Sequence, residues 1–326
     1  MAKTTASIKR KYRRPILCLA TLLFCSYAAT AQVQDNLPNP STFTYAVHER
    51  ESLKLDVYQP TERRADSITV IYVFGGGFAD GSRNDSIALE ACKALLKKGY
   101  IAVSIDYRLG IRYTNFDTVK ILNSFNVFYR CATWASEDLC AAVNYLCQHA
   151  PELGILTDRI VLTGASAGAI TVLQADYARC NSMAPASVLP AGWKPMAVVS
   201  YSGAVLTKDG KPHYATSPAP TCLFHGTIDR VVNYNSFPRL PLRKKMWGSN
   251  KVAPVFKKNN YPYWFLRYKG NGHEVNHALP ETIEIFDLYV KSVASGDSTF
   301  CDATCHTSRL KTDKYSHSDI FDLYGM

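Results

Sequence analysis

Three short runs constrain this chain more than any other feature: Ile68 to Phe74, Tyr100 to Ile105 and Arg159 to Thr163. Each is β-rich and apolar at successive positions rather than at alternate ones. Successive side chains of a strand point to opposite faces, so such runs must be covered on both sides. The stretches between them supply the cover. Ser86 to Lys98 carries Ile87, Leu89, Ala91, Ala94 and Leu95 at helical spacing, and Gly99 stops it. Ala135 to His149 and Ala167 to Tyr177 read as further helices, then Ser249 to Lys258 and Glu281 to Val293. Met196 to Tyr201, Thr221 to Phe224 and Tyr263 to Tyr268 read as later strands, while Leu53 to Tyr58 alternates like an exposed antiparallel strand. The expected class is α/β: a mostly parallel twisted sheet with helices on both faces. Three stretches interrupt the alternation, Arg112 to Arg130, Cys180 to Pro195 and Val205 to Ala219, and read as loops around a ligand crevice.

The ends of the chain read differently. Lys9, Arg10, Lys11, Arg13 and Arg14 precede an apolar run from Pro15 to Ala28, and Ala29-Thr30-Ala31 offers a small-residue cleavage site. That is the pattern of a secretory signal peptide over residues 1–31, too short and wrongly flanked for a stable membrane span. The expectation is an exported chain, periplasmic in a Gram-negative source and otherwise secreted. Residues 32–299 are expected to form one catalytic domain, and 300–326 a polar tail. The leader carries six Lys/Arg and no acidic residue, so its loss lowers the formal charge from +10 to +4. With no interleaved basic and aromatic patch, nothing points to nucleic acid. Eight cysteines remain. Cys140 and Cys147 lie roughly 10 Å apart on one expected helix, too far to bridge. Cys92 and Cys222 read as buried thiols, and pairing of Cys301 with Cys305 stays open.

Gly164-Ala165-Ser166-Ala167-Gly168 falls where a buried strand passes into a helix. A serine nucleophile needs that context: a strained turn lifts its hydroxyl above the sheet, small neighbours leave room, and the helix N-terminus faces developing negative charge. Upstream, Phe74-Gly75-Gly76-Gly77-Phe78 follows another buried strand. Backbone N–H groups can serve an oxyanion only where side chains do not obstruct the approach, which nominates Gly76 and Gly77 together with Ala167. A phosphate cradle would need a G-x-G-x-x-G or G-K-[ST] pattern, and neither is completed. Acid and base should follow the serine. Asp229 ends Leu223-Phe224-His225-Gly226-Thr227-Ile228-Asp229, and His273 sits in the loop Gly270-Asn271-Gly272-His273-Glu274. Asp209 is the reserve acid. Asp106 precedes the serine and reads as structural, and His225 reads as a core histidine.

Together these residues resemble carboxylesterases of the α/β-hydrolase fold, in the hormone-sensitive-lipase-like or carbohydrate-esterase-like group. The resemblance runs from about Ser52 to Val293 through the glycine loop, Asp106-Tyr107-Arg108, the serine turn, the His-Gly-Thr-x-Asp segment and Gly-His-Glu. It implies Ser166, Asp229 and His273 as the triad and Gly76, Gly77 and Ala167 as the oxyanion hole, with no cofactor and no metal. In that group the loop usually opens with histidine. Phe74 stands there in this chain, which bears on how the loop is anchored rather than on the reacting groups.

The expected activity is hydrolysis of short-acyl or aromatic carboxylic esters, including acetyl or feruloyl groups on polysaccharides. The partner is then a small or polysaccharide-linked ester. A serine peptidase on the same fold is the nearest enzymatic alternative, and an inactive binding protein a different class. His273-Glu274-Val275-Asn276-His277 also spells the H-E-x-x-H zinc pattern. Glycines before it and Pro280 after it leave little room for the helix that zinc ligation needs.

Overall fold

The buried runs become the strands that the pattern requires. The computed structural model describes residues 37–49, 51–114, 124–238, 243–297 and 300–310; the expected leader lies outside them. The described residues begin with β1 (Ser41–Val47), β2 (Ser52–Tyr58), β3 (Thr69–Val73), α1 (Ser86–Lys97) and β4 (Ile101–Ile105). They continue with α2 (Ser124–Gln148), α3 (Ala150–Leu153), β5 (Ile160–Ala165), α4 (Ala167–Cys180), β6 (Ala197–Tyr201), β7 (Ala204–Thr207) and β8 (Thr221–Gly226). The last described elements are β9 (Ser236–Phe237), β10 (Lys245–Gly248), α5 (Ser249–Lys258), β11 (Tyr263–Tyr268), α6 (Ile283–Ala294) and β12 (Cys301–Cys305).

Among the described residues, nine strands form one sheet in the order β1-β2-β4-β3-β5-β6-β8-β11-β12. Within this sheet, among the described residues, only the β1–β2 and β2–β4 pairs are antiparallel. Every residue of β3, β4, β5, β6 and β8 is buried, which is why these segments are mostly apolar, with small hydroxyl residues and His225 as the exceptions. Each fully buried Val, Leu, Ile or Phe contributes about 1.5–3 kcal/mol through burial. After β3 the chain moves to β4 on one side; after β5 it moves to β6 on the other. Right-handed crossovers then put α1 and α4 on opposite faces. The order reverses between β3 and β5, and a crevice opens beyond their carboxyl ends at such a point.

Three sequence expectations change. α2 begins at Ser124 rather than Ala135, so residues 124–130 of the Arg112 to Arg130 stretch are helical. Val127, Cys131 and Ala135 recur every fourth residue on its buried side, a period obscured by the surrounding aromatics. β7, β10 and β9 make a separate antiparallel three-stranded sheet that the one-dimensional alternation did not reveal. The supposed polar tail is also wrong at its start: Cys301–Cys305 pairs in parallel with β11 and extends the main sheet. Its alternating exposed and half-buried residues are those of an edge strand, which needs apolar groups on one face only. Extended backbone holds Cys301 and Cys305 about 13 Å apart, so they cannot bridge each other. Residues 311–326 lie outside the described ones.

Candidate active site

The strand ends at the reversal carry the nominated residues. Gly164 and Gly168 are fixed by space. A Cβ on Gly164 would lie 2.5 Å from the Gly168 carbonyl, and one on Gly168 would lie 2.0 Å from the Val73 carbonyl oxygen. Strand β5 can therefore turn sharply into α4 only with glycine at both places. Ser166 between them adopts φ 50° and ψ −114° and caps α4. Its N–H donates to the Tyr201 carbonyl at 2.9 Å, which fixes the strained turn to β6.

His273 and Asp229 reach this serine from β11 and β8. Ser166 Oγ lies 2.9 Å from His273 Nε2, and His273 Nδ1 lies 2.8 Å from Asp229 Oδ2. All three are buried, Ser166 the least so at 7% exposure. Asp229 Oδ1 also accepts the Val232 N–H at 3.1 Å. Burial opposes ionisation of Asp229, but the adjoining imidazoles of His273 and His225 outweigh it and hold the carboxyl down to about 2. An imidazole placed this way can take a hydroxyl proton while an anion stabilises the resulting charge. Close approach of the two loops again depends on a glycine: a Cβ on Gly226 would meet the Gly272 carbonyl oxygen at 2.2 Å.

The other nominated residues separate cleanly. His225 is fully buried against Ser249 Oγ (2.8 Å) and the Val232 carbonyl (2.9 Å), with Asp229 Oδ2 at 3.4 Å. Asp106 is bound by Arg83, which also pairs with Asp56, so it fastens the segment after the glycine loop to the sheet. Asp209 is exposed in the turn after β7. His273–His277 is a 3₁₀ helix, not an α-helix. At three residues per turn its two histidines diverge by about 120°, leaving His273 buried and His277 exposed. Both His273 ring nitrogens are already engaged, so the zinc reading loses its first ligand.

The glycine loop crosses the front of Ser166. Gly76 and Gly77 have φ of 97° and 64°, and the Gly76 carbonyl accepts the N–H groups of Ala79 and Asp80. The loop is anchored through Phe74, which is buried and stacks on Tyr107 with centroids 4.4 Å apart. The Tyr107 hydroxyl lies 3.0 Å from the carbonyls of both Phe74 and Gly75 and can donate to either. An aromatic stack thus does the anchoring at the position where the resembling group carries histidine.

Serine, imidazole and loop open into a cavity of about 490 Å³. Phe128, Ile170, Val231, Val232 and Met246 give it an apolar wall; Asp80, Asn276 and His277 add polar groups. Sequence reasoning missed that wall because Phe128 and Met246 come from the unexpected start of α2 and the unexpected β10. It also missed Asn276, whose side-chain amide donates to the His273 carbonyl. Spacing within the H-E-x-x-H segment was its only signal.

Residues 55–119 match the BD-FAE family model, which describes esterases of the α/β-hydrolase type. No curated protein matches the sequence. Among solved structures, the chain is similar to Thermogutta terrifontis esterase 2 phosphoramylated by tabun, with TM-score 0.55 and 22% identity over 80% of this chain and 97% of that one. The native form of that thermophilic esterase gives TM-score 0.54 and 22% identity, covering 80% and 94%. Its propionate-bound form gives 0.54 and 22%, covering 80% and 96%. With the strand order and the turn at Ser166, this likeness establishes that the chain has the α/β-hydrolase fold.

Proposed function

We propose that this chain is an exported serine carboxylesterase acting on short-acyl or aromatic esters through an acyl-enzyme. The observation that carries the reading is the relay from Ser166 through His273 to Asp229, with bonds of 2.9 and 2.8 Å, at the edge of a 490 Å³ cavity. His273 Nε2 takes the Ser166 proton as Oγ attacks the ester carbonyl carbon. The N–H groups of Gly76, Gly77 and Ala167 donate to the resulting oxyanion. Collapse of that intermediate expels the alcohol, which leaves with the proton held by His273. Water then attacks the acyl carbon, losing its proton to His273, and the freed acid leaves as Ser166 recovers its hydrogen.

The esterase family model and the Thermogutta terrifontis esterase 2 structures, one bound to propionate and one to butyrate, support a short acyl group. The apolar wall suits the acyl chain, and the polar groups suit a hydroxyl-bearing alcohol. Acetyl or feruloyl groups on a polysaccharide combine both features. Export rests on the leader over residues 1–31, and a mature chain starting at Gln32 is its expected product.

The test is p-nitrophenyl acetate hydrolysis by the purified mature chain, beside Ser166→Ala, with and without a chelator. Chelator-insensitive turnover that vanishes in the variant supports the reading. Turnover that survives the substitution but dies with the chelator overturns it.

A further inference from the structure

We propose that Glu274 is a positioning residue that sets the distance between the loops bearing His273 and Asp229. This rests on the esterase reading above and extends it to a residue that never meets substrate. Glu274 is 5% exposed, and its side chain turns back along its own loop. Oε1 accepts the Asn271 side-chain amide at 2.9 Å, and Oε2 accepts the Gly272 N–H at 3.0 Å. Asn271 in turn accepts the Ile228 N–H at 3.1 Å through its backbone carbonyl, next door to Asp229. The chain of bonds runs from the residue after the imidazole to the residue before the carboxylate.

Residue chemistry explains why a carboxylate stands here. Two separate donors converge on the two oxygens, and glutamine could accept from only one while turning its NH₂ toward the other. A donor left facing a donor in a buried site is costly, and the loop must shift to relieve it. The shift falls on Gly272, whose carbonyl already abuts Gly226, and on His273 beyond it. The Glu of the H-E-x-x-H letters therefore works on the loop rather than on a metal-bound water.

The experiment compares Glu274→Gln with a double variant that combines it with Asn271→Asp. In the double variant, the introduced glutamine can accept the Gly272 N–H through its carbonyl while its amide donates to the introduced aspartate, restoring both bonds. The single variant is expected to lose about 10- to 100-fold in kcat on p-nitrophenyl acetate, the scale of a small misplacement of reacting groups, with KM nearly unchanged. The double variant should recover most of that loss. The low-field proton resonance of the His273–Asp229 hydrogen bond should move in the single variant and return in the double one. Should the single variant not fold, Asn271→Ser, which keeps the Gly272 bond and removes the other, takes its place in both measurements. A folded Glu274→Gln with unchanged kcat and an unmoved resonance overturns the proposal. So does a loss of melting temperature without movement of that resonance, which would make Glu274 merely structural. Absence of turnover in the parent chain would instead sink the esterase reading, and the resonance would still test the positioning.

Discussion

Replacing Asp229 with asparagine tests the relay at its buried end. The carboxylate accepts from His273 Nδ1 at 2.8 Å and the Val232 N–H at 3.1 Å, with His225 Nε2 3.4 Å from Oδ2. Asparagine has one carbonyl for both. If that oxygen keeps Val232, the amide donates to His273 Nδ1, the ring proton is forced onto Nε2, and His273 can no longer accept from Ser166. If the oxygen turns to His273 instead, the imidazole keeps its useful tautomer but two donors meet beside Val232. That second arrangement costs about 1–3 kcal/mol, so only a minor fraction of molecules would hold it. Even that fraction lacks the anion beneath the imidazolium. The two effects together should approach the roughly 10⁴-fold loss that this change causes in a Ser-His-Asp triad. At 1.36 kcal/mol per decade this is about 5.4 kcal/mol of transition-state stabilisation. The assay is kcat/KM for p-nitrophenyl acetate, with a circular dichroism melt to verify folding. A folded Asp229→Asn within tenfold of the parent would refute the reasoning. The case against it would be complete if Asp209→Asn collapsed instead.

Other perturbations probe the remaining parts. Ser166→Ala should lower kcat by about three orders of magnitude or more without unfolding the chain, and it should abolish covalent labelling by paraoxon in a mass spectrum. Gly76→Val should cripple turnover, though chiefly through the turn rather than the oxyanion: its Cβ would sit 2.1 Å from the Asp80 carbonyl oxygen at φ 97°. Normal kcat in that variant would remove Gly76 from the site. Because the folded-state value of Asp229 is about 2 and lies below the usual carboxylate range, its ionisation stabilises the fold above about pH 4. That contribution should be lost as pH falls from about 4 through 2, and the loss should be absent in Asp229→Asn melts. Asp229 is then ionised across the working range, so the acid limb of kcat/KM should show one ionisation, that of His273. A second break between about pH 3 and 7 would contradict this.

Much of the molecule was legible because burial writes itself into composition. A strand covered on both faces must be apolar at most successive positions, and β3, β4 and β5 could be read from that fact alone. The serine turn was equally plain, since the crowding around Gly164 and Gly168 admits no side chain. Segments with one open face carry a weaker signature. β12 looks polar because it is an edge strand, and the first turns of α2 look irregular because aromatics face both ways.

By itself the sequence determined strands β2 to β6, β8 and β11 of the main sheet, the order of Ser166, Asp229 and His273, and the glycines that let backbone approach backbone. These are local properties: each depends on a residue's own size, conformation or chemistry. Only tertiary structure decided that Phe74 stacks on Tyr107 to hold the loop, that His273–His277 is a 3₁₀ turn rather than a zinc helix, and that Phe128 and Met246 wall the cavity. Tyr107 is more than thirty residues from Phe74, and Met246 is eighty from Ser166. Chain spacing carries no distance between such groups. Their contact exists only once the sheet has set where its strands end.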